Sequence, residues 1–290
     1  MDIDKELKAI AEDIWLTQVR NYVPSAWIGH APFLRLLIRE LKPNVFVELG
    51  THNGFSYFVG CQTVQELALP TKTYAVDHWV GDPHAGEFDA SVYEGVVAIN
   101  AQYKTFSTLL KMSFIDASSK FEDGTVNLLH IDGFHTYEAV KEDFETWLPK
   151  MEQNGVVIFH DIHVRHADFG VFKYWAELKK KYSTIEFVGS YGLGVVFLGK
   201  PKSPQLQILL AITEQNDAAQ IHGTFGGLSD AVIQNFRNLE SAKYLTQIAK
   251  LDAENLHSQI KLLSVMNSKS WRITKPLRVL TNLIRKANAK

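Results

Sequence analysis

Two aspartates and three histidines follow two short apolar segments in the middle of the chain. The segments are Val126–Ile131 and Val156–Phe159. The polar residues are Asp132, His135, His160, Asp161 and His163. Carboxylates and imidazoles that lie close together can hold a divalent cation or remove a proton from a hydroxyl group. Either aspartate alone would fit an ordinary helix cap, but the pair together with the histidines predicts a reaction site.

The two apolar segments are predicted to be neighbouring parallel strands of one sheet. A helix predicted over 136–148 joins them and ends at Pro149. Strands joined by one crossover helix pair in parallel, so their carboxyl ends meet at the same edge of the sheet. Ligands of open α/β sheets bind at that edge. Asp132 and Asp161 are therefore expected to converge, with His135 on the loop above them.

A second candidate site lies earlier, where the predicted strand Val45–Leu49 runs into a glycine turn. The turn has the form E-x-G-x-x-x-G, with Glu48, Gly50 and Gly54 at its fixed positions. Glycines let the backbone approach a ligand, and the following helix offers free N–H groups. The next predicted strand ends at Asp77, where an acid is placed to accept hydrogen bonds from ribose hydroxyls. The turn alone would also fit an ordinary strand–helix connection, but the two features together favour nucleotide binding.

The remaining elements are predicted from apolar periodicity and from breaks at glycine and proline. Helices are expected over 2–20, 32–41, 56–67, 91–103, 136–148, 170–182 and 228–266. Strands are expected over 45–49, 73–76, 112–115, 126–131, 156–159, 185–188 and 195–198. The break at Lys200–Pro201 predicts a boundary, so we expect an N-terminal helical cap over 1–42, a central domain over 43–200 and a helical extension over 201–290.

Four motifs in this order resemble class I S-adenosylmethionine-dependent methyltransferases. They are VELGTHNG, AVDHWVGDPHAG, LLHIDGFHTYEAVKEDFETWLPK and GVVIFHD, within about residues 43–200. The most similar group is found in bacterial surface-polysaccharide and antibiotic-sugar gene clusters. The resemblance implies a Rossmann-like, doubly wound, mostly parallel seven-stranded sheet with a terminal antiparallel hairpin, and helical extensions at both ends. It also implies an O-methyltransferase that acts on a hydroxyl of a sugar or glycan-type small molecule in polysaccharide biosynthesis.

The same resemblance implies a set of site residues. Cofactor contacts are expected from Glu48, Gly50, Thr51, Gly54, Asp77, His78, Trp79, Asp116, Ala117 and Asp132. His135 is expected to be the general base beside Asp132 and Asp161, and Asp132, Asp161 and His160 are expected to hold Mg²⁺ or Mn²⁺. Metal-dependent relatives carry a further acidic or amide ligand next to the second aspartate, where this chain has Ile162. Three options stay open: a histidine as third ligand, a weakly bound metal, or no metal with His135 acting alone.

Composition limits the other classes of function. The 290 residues are 46% hydrophobic and carry a net charge of −2, which argues against an electrostatic nucleic-acid binder. A single cysteine, Cys61, excludes an intrachain disulfide and a cysteine-based zinc site. The N-terminus lacks a signal-peptide pattern and no apolar run is long enough to span a bilayer, which predicts a cytoplasmic protein.

The C-terminal residues are basic and leave the partners of the protein open. No acid follows Lys261, and the run SKSWRITKPLR is similar to short terminal segments attached to bacterial polysaccharide glycosyltransferases. Contact with an anionic membrane surface, contact with a glycosyltransferase, a solvated tail and a homo-oligomer all remain open. Two other functions also remain: an oxidoreductase or hydroxylase with iron held by His135, Asp161 and His163, and a non-catalytic scaffold. The glycine turn with Asp77 argues against the oxidoreductase.

Overall fold

A mixed seven-stranded sheet forms the centre of the fold. The computed structural model describes residues 3–12, 18–84, 86–214 and 218–274. The strands are β1 Val45–Leu49, β2 Lys72–Asp77, β3 Gly81–Asp82, β4 Gly86–Glu87, β5 Ser107–Lys111, β6 Val126–Ile131, β7 Met151–His160, β8 Ser183–Phe187 and β9 Leu193–Phe197. The helices are α1 Ile3–Glu12, α2 Ala31–Leu41, α3 Phe55–Glu66, α4 Ala90–Asn100, α5 Phe114–Ser118, α6 Tyr137–Trp147, α7 Val171–Leu178, α8 Pro204–Glu214, α9 Ala218–Asn267 and α10 Lys269–Ile273.

The strands of the large sheet follow the order β5-β2-β1-β6-β7-β9-β8. The first five of these are mutually parallel, and β9 runs antiparallel to both β7 and β8. This arrangement confirms the Rossmann-like, mostly parallel sheet and its terminal antiparallel hairpin. The crossover through α6 places β6 and β7 side by side in parallel, as predicted, because one helix of this length returns the chain to the neighbouring position.

The core is built from strands that are buried on both faces. The residues Val156–Phe159 near the carboxyl end of β7 and the pair Leu128–Leu129 of β6 are almost completely inaccessible. A parallel strand covered by helices must be apolar on both sides, so its sequence is a continuous apolar run. That is why β1, β6 and the C-terminal half of β7 could be predicted almost to the residue.

Four predicted elements differ clearly from the structure, two of them because β7 and α9 begin earlier than predicted, at Met151 and Ala218. The strand predicted over 112–115 is wrong: the strand is β5, and Ser113 instead caps helix α5 by accepting a hydrogen bond from the Asp116 N–H. β5 lies at the sheet edge and is partly exposed, so its apolar pattern is weak. The helix predicted over 2–20 ends at Glu12 in the described residues, and 18–20 are not helical. Its middle, 13–17, lies outside the described residues.

The first compact unit of the chain extends to Gln234, beyond the boundary expected at Lys200–Pro201. Helix α8 and the start of α9 belong to this unit and bury apolar side chains in it. The Phe225 ring, for example, lies 5.7 Å from that of Phe33 and 5.3 Å from that of Phe187. In the described part of the chain, no helix is long and apolar enough to cross a membrane.

The second unit begins at Asn235 and includes the rest of α9 and α10. Its part of α9 exposes large apolar side chains along its length. These include Leu239, Leu245, Ile248, Leu256, Ile260 and Leu263. Of the basic residues on which the membrane and partner hypotheses depend, Lys269 and Arg272 lie in α10. The others lie outside the described residues, namely Lys275, Arg278, Arg285, Lys286 and Lys290.

Candidate active site

One cavity of about 460 Å³ opens at the carboxyl ends of the central parallel strands. Its lining segments are 24–27, 50–56, 77–78, 81–82, 132–135 and 160–161, with Phe88 and Phe114. Four of these segments directly follow or end β1, β2, β6 and β7. The cavity therefore lies at the edge where open α/β sheets bind ligands.

The glycine turn after β1 forms one wall because only glycine fits at two of its positions. Gly50 has a φ of +84°, and a Cβ there would collide with the carbonyl oxygen of Asp132. Gly54 has a φ of +83° and lies against the ring of Phe58. These left-handed conformations bring the backbone close to the end of β6 and expose the turn to the cavity. Thr51 is buried in the same wall.

Asp77 at the end of β2 holds this turn in place. Its Oδ2 accepts hydrogen bonds from the N–H groups of Thr51 and His52, at 2.9 and 3.0 Å. Its Oδ1 accepts a further one from the N–H of Trp79, at 2.7 Å. A carboxylate offers about four acceptor positions, so Asp77 can still accept one hydrogen bond from a ligand in the cavity.

A buried hydrogen-bonded chain lies beneath the cavity and joins three elements. Glu48 Oε2 lies 2.8 Å from Nδ1 of His130, its register partner on the neighbouring strand β6. The Trp27 indole N–H donates to Nε2 of His130 at 3.0 Å. His130 therefore carries its proton on Nδ1 and donates it to Glu48. Burial raises the pKa of Glu48, while its contact with His130 opposes that effect. The chain fixes Trp27, which lines the cavity.

Asp132, His135, His160 and Asp161 converge at one end of the cavity. Nε2 of His135 lies 2.9 Å from Asp161 Oδ2 and 3.4 Å from Asp132 Oδ1. Nδ1 of His160 lies 3.3 Å from Asp132 Oδ1 and 3.4 Å from Asp161 Oδ1. Asp132, His135 and Asp161 offer ligand atoms close enough to share one metal ion. The predicted convergence of the two aspartates is present in the structure.

The carboxylates and imidazoles of this cluster shift one another's pKa values. Burial lowers the pKa of His160 and of His135, but the two facing carboxylates outweigh burial and raise these values to about 10 and about 9. Burial raises the pKa of Asp132, yet His160 and His135 hold it well below its ordinary value. The two carboxylates therefore favour the protonated forms of both imidazole rings. A divalent cation between the carboxylates would compete with those protons.

Comparisons with known proteins agree with this geometry. Residues 47–162 match a family described as a methyltransferase domain. The segment is therefore similar to methyltransferase domains. A 186-residue segment is 49% identical to the uncharacterized protein y4gI of Sinorhizobium fredii, covering 64% of this chain and 20% of that protein. The match thus spans about a fifth of the length of that relative.

Solved structures are similar to this chain at low sequence identity. One is a putative caffeoyl-CoA O-methyltransferase from Staphylococcus aureus, 16% identical, with a TM-score of 0.46 over 69% of this chain and 93% of that one. Another is the O-methyltransferase TomG from Streptomyces achromogenes, in complex with SAM, 15% identical, with a TM-score of 0.46 over 69% and 91%. At these values the likeness carries no argument about activity.

Several residues predicted as cofactor contacts lie away from the wall of the cavity. Among the described lining residues, Glu48, Trp79, Asp116 and Ala117 are absent. Glu48 is paired with His130, and the Trp79 ring packs 4.8 Å from that of Tyr93 with its N–H on the carbonyl of His52. Their cofactor roles stay predictions that the cavity does not support. Gly50, Thr51, Gly54, Asp77, His78 and Asp132 do line it.

His163, the third ligand of the predicted iron site, points elsewhere. Its Nε2 lies 3.9 Å from Glu186 Oε2, and it is not part of the metal-ligand group found among the described residues. The set of His135, Asp161 and His163 is therefore not formed, which corrects the expectation for an oxidoreductase.

The structure also shows residues that sequence reasoning missed. His84, on the β3–β4 hairpin, lies 2.6 Å from Asp168 Oδ1 and stacks on Phe169 at 4.3 Å. The Phe169 ring in turn stacks on His135 at 4.9 Å. The hairpin is thus attached to the loop that supports His135. The segment 24–27 was missed as well, because it has no periodic pattern and carries no recognisable motif.

Proposed function

We propose that this chain transfers a methyl group from S-adenosylmethionine to a hydroxyl of a sugar or glycan-type small molecule in polysaccharide biosynthesis. The supporting observation is that one cavity is lined both by the glycine turn with Asp77 and by the cluster of Asp132, His135 and Asp161. The first half suits a nucleoside cofactor and the second suits proton removal from an acceptor. The choice of a sugar acceptor rests on the resemblance described above.

The residues of the cavity divide the task between them. The turn from Gly50 to Gly54 would face the methionine part of the cofactor, and the remaining acceptor position of Asp77 would bind a ribose hydroxyl. When bound, the cofactor would supply the methyl group to the acceptor oxygen, with a C–O bond formed as its C–S bond breaks and S-adenosylhomocysteine left as product. His135, with Nε2 unprotonated, would take the proton of the acceptor hydroxyl.

A divalent cation would assist this reaction at the carboxylates. Asp132 and Asp161 are oxygen ligands of the kind that Mg²⁺ and Mn²⁺ bind. The ion would orient the acceptor hydroxyl and lower its pKa. His135 accepts a proton only when its Nε2 is unprotonated.

The cofactor half of the proposal is tested by calorimetric titration with S-adenosylmethionine. Asp77→Ala should weaken binding by about 1–3 kcal/mol, the loss expected for hydrogen bonds to a charged group. Asp123→Ala is the matched control, because this exposed carboxyl pairs with Lys150 and is not among the lining residues, and its affinity should stay at the wild-type value. If Asp77→Ala binds S-adenosylmethionine with wild-type affinity, Asp77 is not a cofactor ligand. A wild-type chain that does not bind the cofactor would favour the scaffold function instead.

The chemical half is tested by single-turnover methyl transfer to candidate sugar acceptors. His135→Ala should lower the rate about 10²–10⁴-fold, the usual loss for a general base, with cofactor affinity nearly unchanged. His163→Ala serves as the control, since its ring faces Glu186 rather than the cluster. Wild-type rates in His135→Ala would reject its role as the base.

We also propose the remaining expectations about partners and location. A cytoplasmic enzyme of glycan assembly would meet its substrate beside a glycosyltransferase or an anionic membrane surface. The basic residues after Lys261 are suited to such a contact. We further propose that the protein forms a homo-oligomer. Sedimentation of the full chain at several concentrations tests this.

A further inference from the structure

The cavity has an unusual balance of charged side chains. Among the described residues that line it, four are aspartates and none is a lysine or an arginine. Asp77 lies at the end of β2, Asp82 lies on the β3–β4 hairpin, and Asp132 and Asp161 belong to the cluster. Arginine and lysine are the side chains with which proteins hold phosphate groups. The described wall of this cavity therefore offers no such group to an anionic ligand.

The negative charges of Asp77 and Asp82 remain whatever occupies the cluster. A divalent cation, or protons on the two cluster histidines, would balance only the two cluster aspartates. Burial lowers the pKa of His52, so the ring of this lining residue is uncharged near neutral pH. S-adenosylmethionine carries a net positive charge and suits such a wall, because a cleft lined by one sign of charge attracts the opposite sign. The same wall disfavours an anionic acceptor.

Asp82 belongs to the side of the cavity that the acceptor would occupy. Its Oδ1 accepts a hydrogen bond from the His84 N–H at 2.7 Å. The centroid of the His84 ring lies 4.6 Å from that of Phe134 and 4.3 Å from that of Phe169. The Phe169 ring stacks in turn on His135. The hairpin thus brings the Asp82 carboxylate to the side of the proposed base, which the acceptor hydroxyl approaches.

Aromatic rings form the other surface available to an acceptor. Phe88 and Phe134 both line the cavity and are half-buried. Phe88 stacks on His52, with ring centroids 4.4 Å apart and 14° between the planes. Sites for small molecules combine apolar and aromatic walls with a few placed polar groups. The C–H faces of a sugar ring fit the aromatic rings, and its hydroxyl groups can donate to carboxylates.

Arg165, on the loop that follows the cluster, does not supply the missing positive charge. Its Nη1 donates to the carbonyl oxygen of Ile162 at 2.9 Å, and its guanidinium carbon lies 4.0 Å from the centroid of the Phe172 ring. It is not among the described lining residues. A phosphate on the anomeric carbon of a bound sugar would lie only a ring's width from the reacting hydroxyl, on the side of Asp82. Two like unit charges about 6–10 Å apart, at an effective permittivity of about 20, repel enough to lower affinity about tenfold or more.

We propose that the acceptor is an uncharged glycoside and that Asp82 excludes sugar phosphates and nucleotide-activated sugars from this site. The inference rests on the proposed function and names its substrate class. Sugars enter glycan assembly as phosphate-activated donors and lose the phosphate when the glycosidic bond forms. A glycosyl-transfer reaction therefore supplies the substrate, and methylation follows it. A repulsive group directed at the wrong ligand is a common source of such specificity.

The test compares matched acceptors on the full-length protein with labelled S-adenosylmethionine. Methyl glycosides of common hexoses and deoxyhexoses are each paired with the 1-phosphate and the nucleoside diphosphate of the same sugar. The wild type should methylate at least one glycoside with a kcat/KM at least about tenfold above that of its phosphorylated partners. Asp82→Asn should lower this ratio severalfold. Asp123→Asn is the matched control, because this exposed carboxylate pairs with Lys150 and is not among the lining residues, and it should keep the wild-type ratio.

The wild-type ratio decides the question of substrate class even if Asp82→Asn does not fold. Equal or faster transfer to the phosphorylated sugars overturns the inference and leaves the proposed methyl transfer intact. A folded Asp82→Asn protein that keeps the wild-type ratio overturns the role of Asp82. If the wild type binds S-adenosylmethionine in calorimetry but methylates no sugar in either form, the sugar acceptor of the proposed function is rejected, and this inference with it.

Discussion

Asp143 is a buried carboxyl group on α6 that the proposed chemistry does not use. It lies behind the backbone of Gly133, where a Cβ on that glycine would approach Asp143 Oδ2 at 3.3 Å. Burial, with a contribution from the charge of Glu142, raises the pKa of Asp143 from its ordinary 3.8 to about 7. Between these values the folded state binds more protons than the unfolded state. The folded protein should therefore lose stability as the pH rises from about 4 through about 7.

Asp143→Asn should remove this pH dependence. The neutral amide has a similar shape and no charge to desolvate, so the free energy of unfolding should exceed that of the wild type by about 1–3 kcal/mol at pH 8. At pH 4 the two proteins should be equally stable. Urea unfolding at both pH values measures the difference, with Glu145→Gln on the exposed face of the same helix as the control. Equal stability at pH 8 would show that Asp143 is not desolvated as described.

At the scale of elements, the His84 side chain attaches the β3–β4 hairpin to the loop that supports His135. His84 contacts the exposed Asp168 and is enclosed by the rings of Phe134 and Phe169. Asp168→Ala should therefore loosen the hairpin and, through Phe169, the position of His135. We expect faster hydrogen exchange over 81–88 and a lower methyl-transfer rate, with little change in melting temperature. Asp123→Ala is the control, because its ion pair with Lys150 does not involve the cavity. Unchanged exchange in Asp168→Ala would show that the hairpin is held by stacking alone.

The elements also show what the sequence could and could not predict. Asp132 and Asp161 could be placed together because a single crossover helix makes β6 and β7 neighbours, whatever the rest of the sheet does. The pairing of Glu48 with His130 depends on the sheet order and on the register of β1 with β6, which no local pattern encodes. Trp27 lies in an irregular segment whose position is decided by its contact with His130. Local patterns predicted the elements, and long-range contacts decided which side chains meet.

At the scale of the whole chain, two truncated proteins test where the first folding unit ends. One ends at the predicted boundary, Lys200, and the other at Gln234, the last residue of the first compact unit. Residues 201–234 bury apolar side chains within the first unit, including Leu206, Leu209, Ile212, Ile221, Phe225 and Leu228. Each contributes about 1.5–3 kcal/mol when fully buried. Together they approach or exceed the entire stability of a typical domain, about 5–15 kcal/mol. The hydrogen bond from Ser229 Oγ to the carbonyl of Gly29, at 2.5 Å, also joins α9 to the segment that leads into α2.

A chain that ends at Lys200 should therefore fail to fold or should aggregate. It lacks α8 and the start of α9, and their absence exposes Phe33, Phe187 and their neighbours to solvent. A chain that ends at Gln234 should retain cooperative unfolding and wild-type affinity for S-adenosylmethionine, since the cavity and its supporting contacts lie before that residue. Thermal unfolding and calorimetric titration of the two proteins measure both outcomes. If the chain ending at Lys200 melts cooperatively and binds the cofactor, residues 201–234 contribute little to the domain. If the chain ending at Gln234 loses cofactor binding, the first compact unit depends on residues beyond Gln234.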